Sequence, residues 1–176
     1  MKLLIIISIL SSADLIAQTA ESSTSETTPQ ETNTQIKTEK TTSNELSHEI
    51  INQIKNIFTA SASAKDEKSA KVAISQMKQS SKKILSLKTQ LETAEKPSTK
   101  EKQAFAIQMI TFETEISEIY KTMFQTFENN SEDINKLIEP PISEAKLKMT
   151  PALTLINEYY PKKEMLEYIQ AAKNKK

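Results

Sequence analysis

Apolar residues begin to recur at helical spacing from Leu46. Leu46, Ile50, Ile54 and Ile57 stand three or four residues apart, and Ile51 and Phe58 widen the stripe. Thr42 and Glu45, just ahead of it, fit a capping box that satisfies two backbone N–H groups reciprocally. The pattern predicts a first helix from residue 43 to about Ala60, followed by a small-residue connection at 61–65.

The two segments that follow carry the most regular pattern in the chain. Ala70, Ala73, Met77, Ser80, Ile84, Leu87 and Leu91 alternate three- and four-residue steps, a heptad seam. Lys96-Pro97 ends it, because the residue before proline avoids the helical region. Ser98 and Glu101 then make a second capping box, and Phe105, Met109, Phe112, Ile116, Ile119 and Met123 continue the alternation. Folded back about Ser98, the seams keep register throughout: Leu91 opposes Phe105, Leu87 opposes Met109, Ile84 opposes Phe112 and Met77 opposes Ile119. The expected core motif is therefore an antiparallel helical hairpin formed by residues 67–96 and 99–128.

Charge supports that pairing. Residues 67–96 hold seven lysines and three glutamates, a net of +4, while residues 101–128 hold five glutamates and two lysines, a net of −3. The hairpin register brings Lys82 near Glu113, Lys78 near Glu118 and Lys68 near Glu128. Each exposed pair is worth only about 0–1 kcal/mol, so these charges select orientation more than they stabilise.

Beyond Met123, Asn129-Asn130 offers the nearest substitute for a glycine C-cap. A short helix is expected at 131–139, then a stiff corner at Pro140-Pro141. A further helix starts at Thr150-Pro151 through Leu153, Ile156 and Tyr159, and a last one starts at Pro161 with Met165, Leu166 and Ile169. The expected fold is all-α, a four- to five-helix up-down bundle over residues 43–172, with a frayed basic tail at 173–176.

Upstream of the helices the pattern changes character. Met1-Lys2 and the apolar run at residues 3–10, followed by small residues, read as a secretory signal peptide. Cleavage is placed after Ala17, with Ala13 the competing site. The short leader ending Ile-Ala-Gln resembles those of Gram-negative bacteria, which implies a periplasmic or extracellular product. No cysteine follows it, so no lipoprotein anchor is expected, and no transmembrane segment is expected in the mature chain. Residues 18–42 are built from Thr, Ser, Glu, Gln, Asn and Lys, too little apolar surface to offset ordering entropy, and read as a disordered tether.

Composition narrows the function classes. The 176 residues include no glycine, no cysteine and no arginine, and the 23 acidic residues balance the 23 basic ones. Without glycine, phosphate loops, the dinucleotide fingerprint and the nucleophile elbow are excluded in their usual forms. Without arginine or net positive charge, nucleic-acid recognition is not expected. Without cysteine there is neither a disulfide framework nor a thiolate metal site. No metal, cofactor or catalytic constellation is expected.

The candidate residues are correspondingly few. His48 lies off the first apolar stripe and reads as a solvated side chain. Glu113, Glu115 and Glu118 lack the inward Glu-x-x-His motif of a di-metal bundle. Tyr159, Tyr160, Lys162 and Lys163 place two amphipathic aromatics beside two cations at a rigid corner, a possible binding edge; the competing reading makes the tyrosines a staple between the last two helices. The sequence thus leads to an exported, non-enzymatic helical interaction or structural protein with a protein partner. The alternative is a binder of lipid or unfolded protein, with peripheral lipid contact, through a seam of Met77, Met109, Phe112 and Met123.

Overall fold

Thr42 caps the first helix, α1 (Ser43–Ser63), through the expected box with Glu45. The structure, a computed structural model, describes residues 41–174. The leader with its Ala17 cleavage point, the tether up to residue 40 and the last two lysines lie outside the described residues. Four further helices follow: α2 (Glu67–Thr93), α3 (Thr99–Asn129), α4 (Glu132–Tyr159) and α5 (Lys162–Lys173). Ser98 caps α3 in its box with Glu101, and Asp66 caps α2 in a reciprocal arrangement with Ser69. The described residues form an all-α bundle with no strand.

Directions follow from side-chain pairs. Glu49 meets Lys83 and Ser61 meets Met77, so α1 and α2 are antiparallel. His48 meets Gln108 and Lys55 meets Glu115, both 60 residues apart, so α1 and α3 are parallel. Lys78 lies near Glu144 and Leu91 meets Tyr159, so α2 and α4 are parallel. The order up, down, up, down is that of the expected bundle. α5 begins beside the start of α3, where Lys102 pairs with Glu164 at 2.8 Å.

Helices α2 and α3 run antiparallel as expected, but their seams do not face each other. α1 packs extensively against both, whereas α2 and α3 make almost no close backbone approach to one another. The register that sets Leu91 against Phe105 is therefore corrected. All seven seam residues of α2 are buried, but against α1 and α4. The reason lies in α1, where Leu46, Ile50, Ile51, Ile54, Ile57, Ala60 and Ala62 are all buried. A helix apolar over so wide an arc needs neighbours on more than one side, and it takes the central place. Buried Ser47 and Ser61 on α1, with Ser80 and Ser81 on α2, occupy little volume where these helices are packed.

The cross-helix charges follow the same correction. Lys83 turns to Glu49 on α1 and Lys78 lies near Glu144 on α4, while Glu115 of α3 pairs with Lys55 of α1. The lysine-rich α2 is answered by the helices it touches.

The C-terminal third departs furthest from the sequence pattern. The short helix, proline corner and separate helix expected over 131–159 are one helix, with Pro140, Pro141 and Pro151 inside it. Ile138, Ala145, Met149, Ala152 and Ile156 are buried along its inner side. Pro140 and Pro151 lie eleven residues apart, close to three turns, and both are exposed. Carbonyls deprived of a partner N–H on that side can turn to water, and inner-side burial outweighs the proline cost of about 3 kcal/mol each.

Helix ends also adapt to the missing glycine. The residues that close the five helices, Ala64, Ala94, Asn130, Tyr160 and Asn174, all have negative φ, so none adopts the left-handed cap. Asn130, expected to substitute for a glycine, has φ −75°. Its side chain instead donates to the Ala64 carbonyl at 2.7 Å, and Thr126 donates to the Ala62 carbonyl at 2.9 Å. Residues of α3 thereby satisfy carbonyls at the end of α1, which a parallel arrangement of the two helices makes possible.

Candidate functional site

The tyrosine corner turns inward. Tyr159 is 8% exposed and Tyr160 2%. Tyr159 donates its hydroxyl to the Leu91 carbonyl at 2.9 Å, with the Ala94 carbonyl at 3.3 Å. Tyr160 stacks on Phe105 with ring centroids 4.0 Å apart and planes 23° apart. Burial raises the Tyr160 pKa above its ordinary 10.0, against the opposing influence of the Ser43 and Ser47 hydroxyls beside it. Lys162 is half-buried and Lys163 exposed. The corner is a staple that closes α4 and α5 onto α2 and α3, so the paired aromatic-cation edge is corrected to packing.

The Met/Phe seam divides. Met77 is fully buried beside the Ser61 hydroxyl and Met123 is buried, while Met109 and Phe112 are half-buried. His48 is also corrected: it is half-buried, meets Gln108 through Nε2 and sits edge-on to Phe105 with centroids 5.7 Å apart. Glu115 pairs with Lys55, Glu118 is exposed, and among the described residues no group of three or more His, Asp or Glu could hold a metal. Among the described residues no helix is long and apolar enough to cross a membrane.

Two surface features do arise from the tertiary arrangement. A depression of about 370 Å³ opens where α1 and α3 end, lined by Lys65, Thr122, Gln125, Thr126, Asn129 and Asn130. Its polar groups serve the helix ends: Thr122 donates to the Glu118 carbonyl, Asn129 to Gln125, and Thr126 and Asn130 to α1. It is the hollow left by a capping arrangement.

The second feature is an aromatic ladder. Phe58 of α1 meets Tyr120 of α3 edge to face at 5.8 Å, and Tyr120 meets Phe124 at 4.8 Å. Phe58 and Tyr120 are half-buried, and Phe124 ends the ladder 50% exposed. Desolvation raises the Tyr120 pKa. Further along the same helix Ile107 is 53% exposed and Ile110 37%. Tyr120 and Phe124 are not among the candidates read from sequence, although their four-residue spacing marks them as neighbours on one helix face. Comparison of the chain with family models, curated proteins and solved structures gave no match.

Proposed function

We propose that this chain is an exported, non-enzymatic helical interaction protein that engages a protein partner through the outer side of α3. The observation that carries this reading is the ladder Phe58–Tyr120–Phe124, which leads from the packed side of α3 to a half-exposed phenylalanine. Phe124, with Ile107 and Ile110, leaves large apolar surface in water on a helix whose other side is already packed against α1. Aromatic residues on a rigid helix suit the desolvated centre of a protein interface. Export rests on the leader pattern of residues 1–17, and the compartment is the periplasm or the extracellular space.

The test is affinity capture from the envelope and culture-fluid fractions of the native host, using wild type and Phe124→Asp. The expected result is a defined protein partner retained by wild type and lost by the variant, with the helical circular-dichroism signal unchanged. Equal retention by both proteins overturns the α3 reading. Retention of lipid vesicles in place of protein, lost in the variant, replaces the protein partner with a lipid surface. N-terminal sequencing of the exported product is expected to begin at Gln18.

A further inference from the structure

The continuity of α4 through its prolines aligns a second seam along the flank where Glu144 lies near Lys78 of α2. Leu137, Pro141, Glu144, Lys148, Pro151 and Leu155 follow one another at steps of four, three, four, three and four residues. On a single helix that alternation forms one narrow stripe. It lies beside the row of Ile138, Ala145 and Ala152, which is buried in the molecule's own core. Leu137, Glu144 and Pro151 are exposed, and Pro141, Lys148 and Leu155 half-buried. Alongside, Leu147 is 76% exposed, more than any other large apolar side chain among the described residues.

The stripe reads the same from both ends: leucine, proline, then one member of an ion pair. Laid against a second copy running antiparallel, Leu137 meets Leu155, Pro141 meets Pro151 and Glu144 meets Lys148, and each contact occurs twice. That is the self-complementarity a two-fold interface requires. A parallel copy would set Glu144 on Glu144 and Lys148 on Lys148, which like-charge repulsion disfavours. On the flank of the stripe, Leu147 falls next to the two-fold axis and meets Leu147 of the second copy. Within one copy Glu144 and Lys148 already pair at 2.5 Å, so no unpaired charge would be buried when the faces close. The rings of Pro141 and Pro151 add apolar contact with almost no side-chain entropy to lose.

We propose that this half-exposed flank of α4, with Leu147 at its edge, is the interface of an antiparallel homodimer, with a second copy of this chain as its occupant. The inference is independent of the α3 reading, because it uses a different helix and a different class of partner.

The test is sedimentation equilibrium on the full chain, as recovered from its producing cells, over a concentration series. Wild type is expected to move reversibly between monomer and dimer. Leu147→Asp, at a side chain already in water, should leave circular dichroism unchanged and raise the dissociation constant about tenfold or more. Glu144→Lys and Lys148→Glu should each be monomeric, since each sets like charges across the axis. Their equimolar mixture should recover the dimer. One copy then carries lysine at both positions and the other glutamate at both, so opposite charges meet at each contact. The proposal is overturned if wild type stays monomeric at every concentration, or if Leu147→Asp dimerises like wild type. It is equally overturned if the folded charge variants remain monomeric when mixed.

Discussion

Tyr159 donates its hydroxyl to the backbone carbonyl of Leu91, 68 residues away in the chain, at 2.9 Å. The bond ties the end of α4 to the end of α2, and the ring fills the space between them. Tyr159→Phe keeps the ring and removes the donor, so it should cost about 1–2 kcal/mol in urea unfolding. Tyr159→Ala should cost more, about 3–5 kcal/mol, by opening a cavity. A surface binding tyrosine would lose neither.

Pro151 separates two readings of the C-terminal third. As the first residue of a separate helix it would be favourable, and Pro151→Ala would be neutral or destabilising. Inside α4 it denies the helix one hydrogen bond, and it is exposed. Pro151→Ala should therefore stabilise the fold, by up to about 3 kcal/mol less whatever the unfolded chain gains in freedom. A shift of the urea midpoint to higher concentration is the expected reading.

Tyr160 gives stability a pH dependence at the alkaline end. Its folded pKa is raised above 10.0 by burial. The folded state therefore holds the proton more tightly than the unfolded one. This contribution is fully present below pH 10.0 and is lost as pH rises through the raised folded value. Tyr160→Phe should flatten the alkaline fall in melting temperature relative to wild type. Tyr120, shifted the same way, supplies slope that remains.

Glu49 acts at the acid end with the opposite sign. The hydrogen bond from Lys83 holds its carboxyl below the ordinary 4.5. Its contribution is present above that value and is lost as pH falls through the lowered folded one. Glu49→Gln should therefore weaken the fold at neutral pH slightly and lessen its decline below pH 4.5. A melting-temperature series from neutral to acid pH reads both effects.

Ser98 tests local structure rather than packing. Its side chain accepts from the Glu101 N–H while Glu101 accepts from the Ser98 backbone at 2.7 Å. Ser98→Ala should cost about 1 kcal/mol in chemical unfolding. Because the box is exposed and lies in the short link between α2 and α3, no loss of core contacts should accompany it.

The sequence by itself determined where α1, α2 and α3 begin and which side of α2 would be buried. Capping at Thr42 and Ser98, and the seven-residue seam from Ala70 to Leu91, are local properties: spacing fixes a face and a cap needs only its own first turn. The partner of each face was not local. The seams of α2 and α3 matched in register and in charge, yet α1 took the place between them, because a helix apolar around most of its circumference leaves most water when it is central. Ile51 and Phe58, which broadened the α1 stripe, were the visible sign of that. Proline carries a strong local signal for a break, and at Pro140, Pro141 and Pro151 tertiary burial of the opposite side overrode it. The candidate surfaces, the ladder ending at Phe124 and the seam around Leu147, belong to this second group. Which apolar residues stay in water is decided only after the core has chosen its own, since exposure is a property of the packed molecule and not of the residue.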